Sequence, residues 1–296
     1  MLRRTTGLLS TLLLLQSSIA CAGAVTEGTV PDPPPGTHWS LAFDTDFSTN
    51  GVDTSKISPC FDWNTGSCTS SFNNGREHYL PSQVKVNNGV AALVAEPLEP
   101  PYTDKACYEA LCTYKSGLIS TGKPRVDQGY LFEFTYGYVE ARLKLPTTPG
   151  MFTAFWMVPA APDYKYKTEI DIVENLAGDP ETIYQTYHYS NRTANYKVND
   201  VESRTNGKCP KLDYASDFHT YGADWEPDHV AFFIDGVECG RFAATDPSQI
   251  EDHPMVVMID LMVDTDWQRN VKLGLSNQQA VDELQVDYLK VWRPQP

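Results

Sequence analysis

The chain has 296 residues, a formal net charge of −15 at pH 7 and a hydrophobic content of 41%. Nucleic acid and anionic membranes are poor partners for so acidic a protein, because both require a basic surface. Its length, less a leader, leaves roughly 260 to 275 residues, enough for one large domain with a real core. The 16 tyrosines, 12 phenylalanines and 6 tryptophans favour strands and surfaces that stack on flat ligands.

Residues 1–22 have the features of a secretory signal peptide. Two early arginines precede an apolar stretch at residues 7–20, which is too short to span a bilayer comfortably, and small residues follow it. We therefore expect a secreted, extracellular protein. The tetrapeptide SIAC at residues 18–21 also resembles a bacterial lipoprotein box loosely, so a lipid anchor at Cys21 is an alternative. No other stretch of the sequence predicts a membrane span.

Residues 23–36 form a Pro-rich, polar segment, which predicts a semi-rigid linker between the signal peptide and the domain. Residues 37–296 show no second linker and no internal repeat, so one domain is expected. We expect this domain to be a monomer.

From Trp39 onward, the pattern predicts strands separated by turns. YVEARLKL alternates apolar and polar residues, and an Asn-Gly and an Asp-Gly pair, at 88–89 and 235–236, predict two hairpins. MVVMIDLMV and LQVDYLKVW are two further strand candidates. Many strands and no long amphipathic helix predict a sandwich, jelly roll or barrel.

Seven cysteines are present, and removal of Cys21 leaves six. An even number in an exported protein favours disulfides, although six cysteines allow 15 pairings. Short spacing favours Cys60–Cys68 and Cys107–Cys112, which leaves Cys209–Cys239. A metal site is the weaker alternative, because no pair has CxxC spacing.

The segment EIDIVE places three carboxylates within six positions. Apolar segments flank it, so a strand is predicted. Side chains alternate along a strand, so Glu169 and Asp171 share a face, whereas regular alternation sends Glu174 into the core. An unpartnered buried carboxylate costs several kcal/mol, and one extra residue at a β-bulge near position 172 or 173 removes this conflict.

With the bulge, all three acids line one face. Glu169 and Glu174 are then about four strand steps apart, or ~13 Å between Cα atoms. If both side chains lean inward on a concave sheet, the carboxyl groups approach the ~5–5.5 Å separation of retaining glycosidases. One would attack the anomeric carbon and the other would protonate the leaving oxygen, with Asp171 raising their proton affinity. A solvated acidic strand and a cation site are the alternatives.

At this motif the sequence resembles glycoside hydrolase family 16, the β-jelly-roll endoglucanases and their relatives. EIDIVE is similar to the bulged ExDxxE signature of that family. Four other segments match it in the right order: SGLISTGKPRV through FEFTYGYVEARLKLP, GMFTAFWMVP, HTYGADWEPDHVAFFIDGVE and VDYLKVW. The resemblance implies an all-β fold, a β-jelly-roll sandwich of two antiparallel sheets with a concave substrate cleft.

The resemblance also implies residue roles. Glu169 takes the place of the nucleophile, Asp171 that of the assisting acid and Glu174 that of the general acid/base. The residues that match substrate-binding positions are Trp156, which would stack on a sugar, His188, Trp267, Asn74 and Arg76. Core packing is the alternative for Trp156, and a structural role is the alternative for His188.

The bulged signature is typical of enzymes that act on β-1,3- or mixed-linked β-glucans, and also of agarases and carrageenases. Xyloglucan-active relatives usually lack the bulge, and the acidic charge disfavours sulfated galactans. A retaining, laminarinase-like endo-β-1,3-glucanase is therefore expected. The alternatives are a cell-wall transglycosylase, a galactan hydrolase and a non-catalytic glucan-binding protein.

One segment departs from the family pattern. IDLMVDTDW has Asp260 where laminarinases usually have an asparagine, and it lacks their glycines. Because this segment shapes the cleft, the sequence does not determine which polysaccharide is the substrate. No cofactor is expected to be required. Many relatives hold a structural Ca²⁺, to which Asp287 could contribute an oxygen.

Overall fold

The computed structural model describes residues 30–48, 51–160, 168–189 and 207–296. The predicted signal peptide and Cys21 lie outside these ranges, so export and lipidation stay predictions. Within the described ranges, no helix is long and apolar enough to cross a membrane.

Two sheets account for the strands of the described residues, which we number in chain order. The larger sheet contains β1 His38–Thr45, β2 Glu77–Tyr79, β3 Val84–Asn87, β4 Val90–Thr103, β5 Leu111–Ser116, β7 Gly137–Lys144, β11 His219–Glu226, β12 His229–Ile234, β13 Val237–Ala243 and β15 Asp282–Gln295. The smaller sheet contains β6 Leu118–Ser120, β8 Met151–Pro159, β9 Glu169–Leu176, β10 Tyr184–His188 and β14 Met255–Val263. The helical segments are α1 Asp266–Asn270 and 3₁₀ turns at Pro81–Gln83, Tyr108–Ala110 and Pro247–Gln249.

The smaller sheet has the strand order β10-β9-β8-β14-β6, and every pair in it is antiparallel. In the larger sheet β2 pairs with β5 in parallel. The other strand pairs of this sheet within the described residues are antiparallel. The all-β sandwich itself is confirmed.

Both predicted hairpins form. Asn88 and Gly89 join β3 to β4 with φ angles of 51° and 81°, and Asp235 and Gly236 join β12 to β13 with φ angles of 50° and 73°. Two successive positive φ angles are the geometry that favours Asn-Gly and Asp-Gly in two-residue turns.

The main core lies between the sheets and comes from alternate positions of the strands. In β7 it takes Val139, Ala141 and Leu143, and in β14 it takes Val257, Ile259, Leu261 and Val263. The other face of the smaller sheet carries a second cluster, which includes Phe152, Ala154, Trp156, Met258 and Met262. This alternation is what a strand buried on both faces requires.

The three expected disulfides are present, Cys60–Cys68, Cys107–Cys112 and Cys209–Cys239. The first closes a loop that carries Trp63. The cysteines are thus accounted for within the described residues without a metal.

The end of the predicted linker packs on the domain. Val30 contacts a cluster on the outer face of the larger sheet that contains Trp39 and Trp292. The indole nitrogen of Trp39 donates to the carbonyl of Pro31 at 2.7 Å. Val30 and Pro31 therefore contact the domain, whose first strand begins at His38, while the predicted linker boundary stays a prediction.

A matched pair of leucine substitutions tests this assignment of the core. Leu143 is fully buried between the sheets, whereas Leu41 in β1 is 51% exposed. We expect Leu143→Ala to lower the free energy of unfolding by about 2–5 kcal/mol, since it removes packed methyl groups and leaves a cavity. Leu41→Ala should cost less than about 1 kcal/mol. Denaturant unfolding measures both, and equal losses would contradict the assignment.

Candidate active site

A β-bulge interrupts β9 at the three acids. On the partner strand β8, Phe155 pairs with Val173 while the next residue, Trp156, pairs with Asp171, so Ile172 is the additional residue. The pairing with β10 shifts over the same stretch. The predicted bulge is therefore confirmed, and it lies at the predicted position.

The bulge keeps all three acids on the outer face of the smaller sheet. Ile170, Ile172 and Val173 pack in the inter-sheet core. Glu169 and Glu174 are partly exposed, and Asp171 is 3% exposed. All three carboxylates line one cleft of about 700 Å³. Glu174 does not enter the core, because the extra residue restores its alternation.

Asp171 connects the acids to His188. The Nε2 atom of His188, on β10, lies 2.9 Å from Oδ2 of Asp171. Asp171 also shares a side-chain hydrogen bond with Glu169. His188, which lines the same cleft, thus lies where the sequence placed it, beside the acids.

Burial and mutual repulsion raise the pKa of each acid. Burial, followed by the charge of Asp171, holds the pKa of Glu169 well above its ordinary value. Burial and the charge of Glu174 raise the pKa of Asp171 to about 6, although the hydrogen bond with His188 opposes this. Burial, Glu169 and Asp260 raise the pKa of Glu174 to about 8. Three carboxyls this close cannot all ionise near neutral pH, so the site holds protons that an exposed acidic strand would lose.

Two of the predicted substrate-binding residues form part of the cleft wall. Trp267, in α1, packs against Phe152 and Tyr184 with ring centroids 5.5 and 4.8 Å away. Asn74 donates from Nδ2 to Asp266 at 3.0 Å. Both Trp267 and Asn74 line the cleft beside the acids, so their contact with substrate stays a prediction with a suitable position.

Trp156 lies beneath the cleft surface. It is 6% exposed, it packs against Phe61 and Phe72, and its Nε1 donates to Oδ1 of Asp260 at 2.8 Å. So small an exposed surface offers little face to a sugar. The structure supports the packing alternative for Trp156 over the stacking role.

Arg76 contacts other side chains and is not among the residues that line the cleft, so its contact with substrate stays a prediction. Its Nε lies 2.5 Å from Oδ2 of Asp264, and its guanidinium lies over the ring of Tyr108 at 4.6 Å. Arg269 covers the same ring at 4.1 Å and donates to the carbonyl of Asn74 at 2.8 Å. Arg76 therefore anchors the turn before α1.

The family model described as "Glycosyl hydrolases family 16" matches residues 112–288, more than half of the chain and all three acids. The chain belongs to glycosyl hydrolase family 16. This confirms the resemblance seen at EIDIVE.

The chain covers different shares of the length of its curated relatives. The chain is 31% identical to Endo-1,3-1,4-beta-glycanase ExsH of Rhizobium meliloti over 211 residues, which cover 70% of this chain but only 39% of ExsH. It is 27% identical to a Beta-glucanase of Rhodothermus marinus over 317 residues, which cover 99% of this chain and 95% of that protein. ExsH is thus more than twice as long as the part that matches.

A solved structure gives the same fold. SCLam, described as a non-specific endo-beta-1,3(4)-glucanase from family GH16, superposes with a TM-score of 0.68 at 24% identity, covering 90% of this chain and 94% of that chain. At this identity the likeness shows the fold, a family 16 jelly roll.

Sequence reasoning missed part of the site of this family 16 chain. Phe72 is 45% exposed and lines the cleft, and Trp63 beside it is 38% exposed. Their ring centroids are 6.0 Å apart. The high aromatic content was the signal available in the sequence. The sequence does not show that the loop with Trp63 and Phe72 packs against Trp156 of β8.

Two buried acids, Glu77 and Asp260, lie under the cleft and were not predicted as part of the site. Both are fully buried. Burial raises the pKa of Glu77 to about 8 and that of Asp260 to about 7. The Asp260 position drew attention in the sequence only as a departure from the family pattern.

Metal binding is not needed to explain the closeness of the three groups Glu169, Asp171 and His188. Their candidate ligand atoms lie within 4.8 Å of one another, but the contacts of Asp171 with its two neighbours already account for this. The calcium predicted at Asp287 has a mixed environment, because Arg142 donates to its Oδ2 at 2.7 Å and Lys290 lines the same pocket. Calcium binds oxygen ligands, whereas the positive charges of Arg142 and Lys290 disfavour a cation there. The calcium site stays a prediction, and no step below depends on it.

Burial of Glu77 predicts a stability that depends on pH. Its pKa rises from 4.5 to about 8 in the folded protein, so its contribution is complete below pH 4.5 and is lost as the pH rises towards 8. Glu77→Gln keeps the shape of the side chain but cannot ionise. We therefore expect the Tm of this variant minus the Tm of wild type to increase as the pH is raised from 5 to 9.

Glu238→Gln is the matched control. The hydrogen bond with Arg241 lowers the pKa of Glu238, so this carboxylate is ionised in both the folded and the unfolded protein above about pH 5, and the Tm difference between Glu238→Gln and wild type should stay constant between pH 5 and pH 9. Calorimetric Tm values across the pH range measure both variants. A constant Tm difference for Glu77→Gln would show that Glu77 is not held protonated by the fold.

Proposed function

We propose that the protein is a secreted, retaining endo-glycosidase that cleaves β-1,3- or mixed-linked β-glucan. The observation that carries the proposal is the bulge at Ile172, which brings Glu169, Asp171 and Glu174 to one face of an open cleft. The activities for which ExsH and the Rhodothermus marinus Beta-glucanase are named support the choice of a β-glucan.

In the first step, a carboxylate oxygen of Glu169 attacks the anomeric carbon. The bond from that carbon to the glycosidic oxygen breaks, and Glu174 gives its proton to the departing oxygen. The raised pKa of Glu174, about 8, keeps this proton available at neutral pH, as a general acid requires.

In the second step, water attacks the anomeric carbon of the glycosyl-enzyme. Glu174, now ionised, takes a proton from this water, and the bond to Glu169 breaks. Two inversions at one carbon give net retention of configuration. The site is then restored, with the proton on Glu174 and the charge on Glu169.

Asp171 assists by holding a proton next to the nucleophile. The proton in its hydrogen bond with Glu169 can reside on either side chain. With the proton on Asp171, Glu169 is the anion that attacks, and the hydrogen bond stabilises its developing ester. His188, 2.9 Å from the other side of Asp171, fixes the orientation of this carboxyl.

The cleft suits an internal segment of a neutral polysaccharide. Its walls carry the aromatic side chains of Phe72 and Trp267 beside the acids. Aromatic faces bind the apolar faces of sugars, and the acidic chain offers little to a sulfated polymer. Export is supported by the three disulfides, which form in oxidising compartments.

Substitution of either glutamate tests the roles. Glu169→Gln and Glu174→Gln keep the size of the side chain and remove the charge or the proton. We expect each to lower the release of reducing ends from a laminarin-type glucan at least 10³-fold, because a nucleophile and a general acid are each worth several orders of magnitude. Unchanged Tm values would show that the variants are folded. A Glu169→Gln enzyme with full activity would contradict the proposal.

Reaction with azide distinguishes the roles of the two glutamates. In Glu169→Ala, azide can occupy the nucleophile's place and attack an activated aryl glycoside directly, which predicts an α-glycosyl azide. In Glu174→Ala, azide instead intercepts the glycosyl-enzyme, which predicts a β-glycosyl azide. Proton NMR of the products reads the configuration, and the reverse assignment would exchange the roles of the two residues.

A panel of laminarin, lichenan, agarose, carrageenan and xyloglucan with product sizing tests the substrate. Release of short glucan oligomers from laminarin or lichenan supports the proposal. Products longer than a supplied oligosaccharide would indicate the transglycosylase, and cleavage of agarose or carrageenan alone would indicate the galactan hydrolase. Binding without turnover would indicate a glucan-binding protein.

A further inference from the structure

Asp260 lies in one row with Glu174 across the floor of the cleft. Ala154 of β8 pairs with Glu174 of β9 on one side and with Asp260 of β14 on the other. Residues directly opposite each other in neighbouring strands project from the same face of a sheet. Two strand spacings, ~10 Å between Cα atoms, therefore separate Asp260 from Glu174, with only a methyl group between them.

Both oxygens of Asp260 accept hydrogen bonds. Nε1 of Trp156 donates to Oδ1 at 2.8 Å, and the hydroxyl of Tyr79 donates to Oδ2 at 2.9 Å. An indole N–H can only donate, so this arrangement stabilises the carboxylate form. Asp260 is fully buried, so it acts on other side chains and does not touch a sugar.

Glu77 completes the group from the other side of Tyr79. Its Oε1 is 3.5 Å from the Tyr79 hydroxyl, and its Oε2 accepts from the backbone N–H of Val263 at 2.9 Å. Tyr79 has one hydroxyl proton, and the shorter distance favours Asp260 as its acceptor. Burial raises the pKa of Glu77 to about 8 and that of Asp260 to about 7, so between these two pH values Glu77 retains its own proton while Asp260 carries the charge.

We propose that Asp260 is a positioning residue that acts through Glu174: held as an anion by Tyr79 and Trp156, it faces the acid/base carboxyl across Ala154 and retains the proton there. The inference rests on the proposed function. It assigns a role to a residue at which this chain departs from the family pattern.

Among the described residues, the titratable groups near this pair lie on three strands and on α1, where Asp266 lines the same cleft. Glu77 and Tyr79 belong to β2, Glu169 and Asp171 belong to β9, and His188 belongs to β10 and contacts Asp171. The carboxyl groups add negative charge and support a protonated Glu174, whereas His188 opposes them by lowering the pKa values of Glu169 and Asp171. Removal of Asp260 deletes one anion from this set and should lower the proton affinity of Glu174.

The test is the pH dependence of kcat/KM for Asp260→Asn on the polysaccharide that wild type cleaves. Asparagine keeps the shape and the acceptor for Trp156. We expect the basic limb of the profile to move about 0.5 to 1 pH unit to lower pH, the effect of one charge at this separation in a partly screened site. Asp228→Asn makes the same charge change at a turn where the side chain is 84% exposed, and it should leave the limb in place.

A dinitrophenyl β-glycoside provides the second arm, since its leaving group departs without a proton. On this substrate, Asp260→Asn and wild type should have the same basic limb. A variant that is slower on both substrates with an unmoved limb would overturn the proposal and leave Asp260 a packing residue. Wild type without activity on any glycan would overturn the proposed function instead.

Tyr79→Phe keeps the test decisive if Asp260→Asn does not fold. Loss of the hydroxyl removes one donor from Asp260 and lets it take up a proton at a higher pH. The basic limb should then move in the same direction as for Asp260→Asn, by a smaller amount. A limb that stays in place, in a variant with a normal near-UV circular dichroism spectrum, would contradict the role given to this network.

Discussion

The additional residue in β9 is the constraint on which the cleft depends. Ile172 lets a strand whose other face packs in the inter-sheet core present Glu169, Asp171 and Glu174 together. The same shift sets the register in which Glu174 stands opposite Ala154 and in line with Asp260. One local irregularity therefore determines both the reacting carboxyls and the buried acid behind them. A regular strand would have gained a hydrogen bond and lost the site.

Such a concentration of acids opposes folding. Glu77, Asp171 and Asp260 are each at most 3% exposed, and each has a raised pKa because burial disfavours the charged form. The fold tolerates them because the apolar inter-sheet core lies on the other side of the same strands, and because donors such as Trp156 and Tyr79 satisfy the buried oxygens. Perturbed pKa values gathered in a cleft are typical of catalytic sites.

Local patterns in the sequence were sufficient to predict several of the strands, the two hairpins and the bulge. Alternation and turn residues act over a few positions, and the parity of Glu174 could be counted directly. Contacts between distant segments could not be predicted in this way. Tyr79 meets Asp260 across 181 positions, and Arg76 meets Asp264 across 188. The family resemblance assigned Arg76 a contact with substrate, but the sequence alone could not show its ion pair with Asp264.

The packing of Val30 and Pro31 on the domain determines on which side a preceding segment would join it. Val30, Trp39 and Trp292 pack on the outer face of the larger sheet, and the acids open on the outer face of the smaller sheet, on the opposite side of the core. A tether joined ahead of Val30 would attach to the side of the domain opposite the acids. The cleft would then face away from the attachment surface and remain accessible to a long polymer.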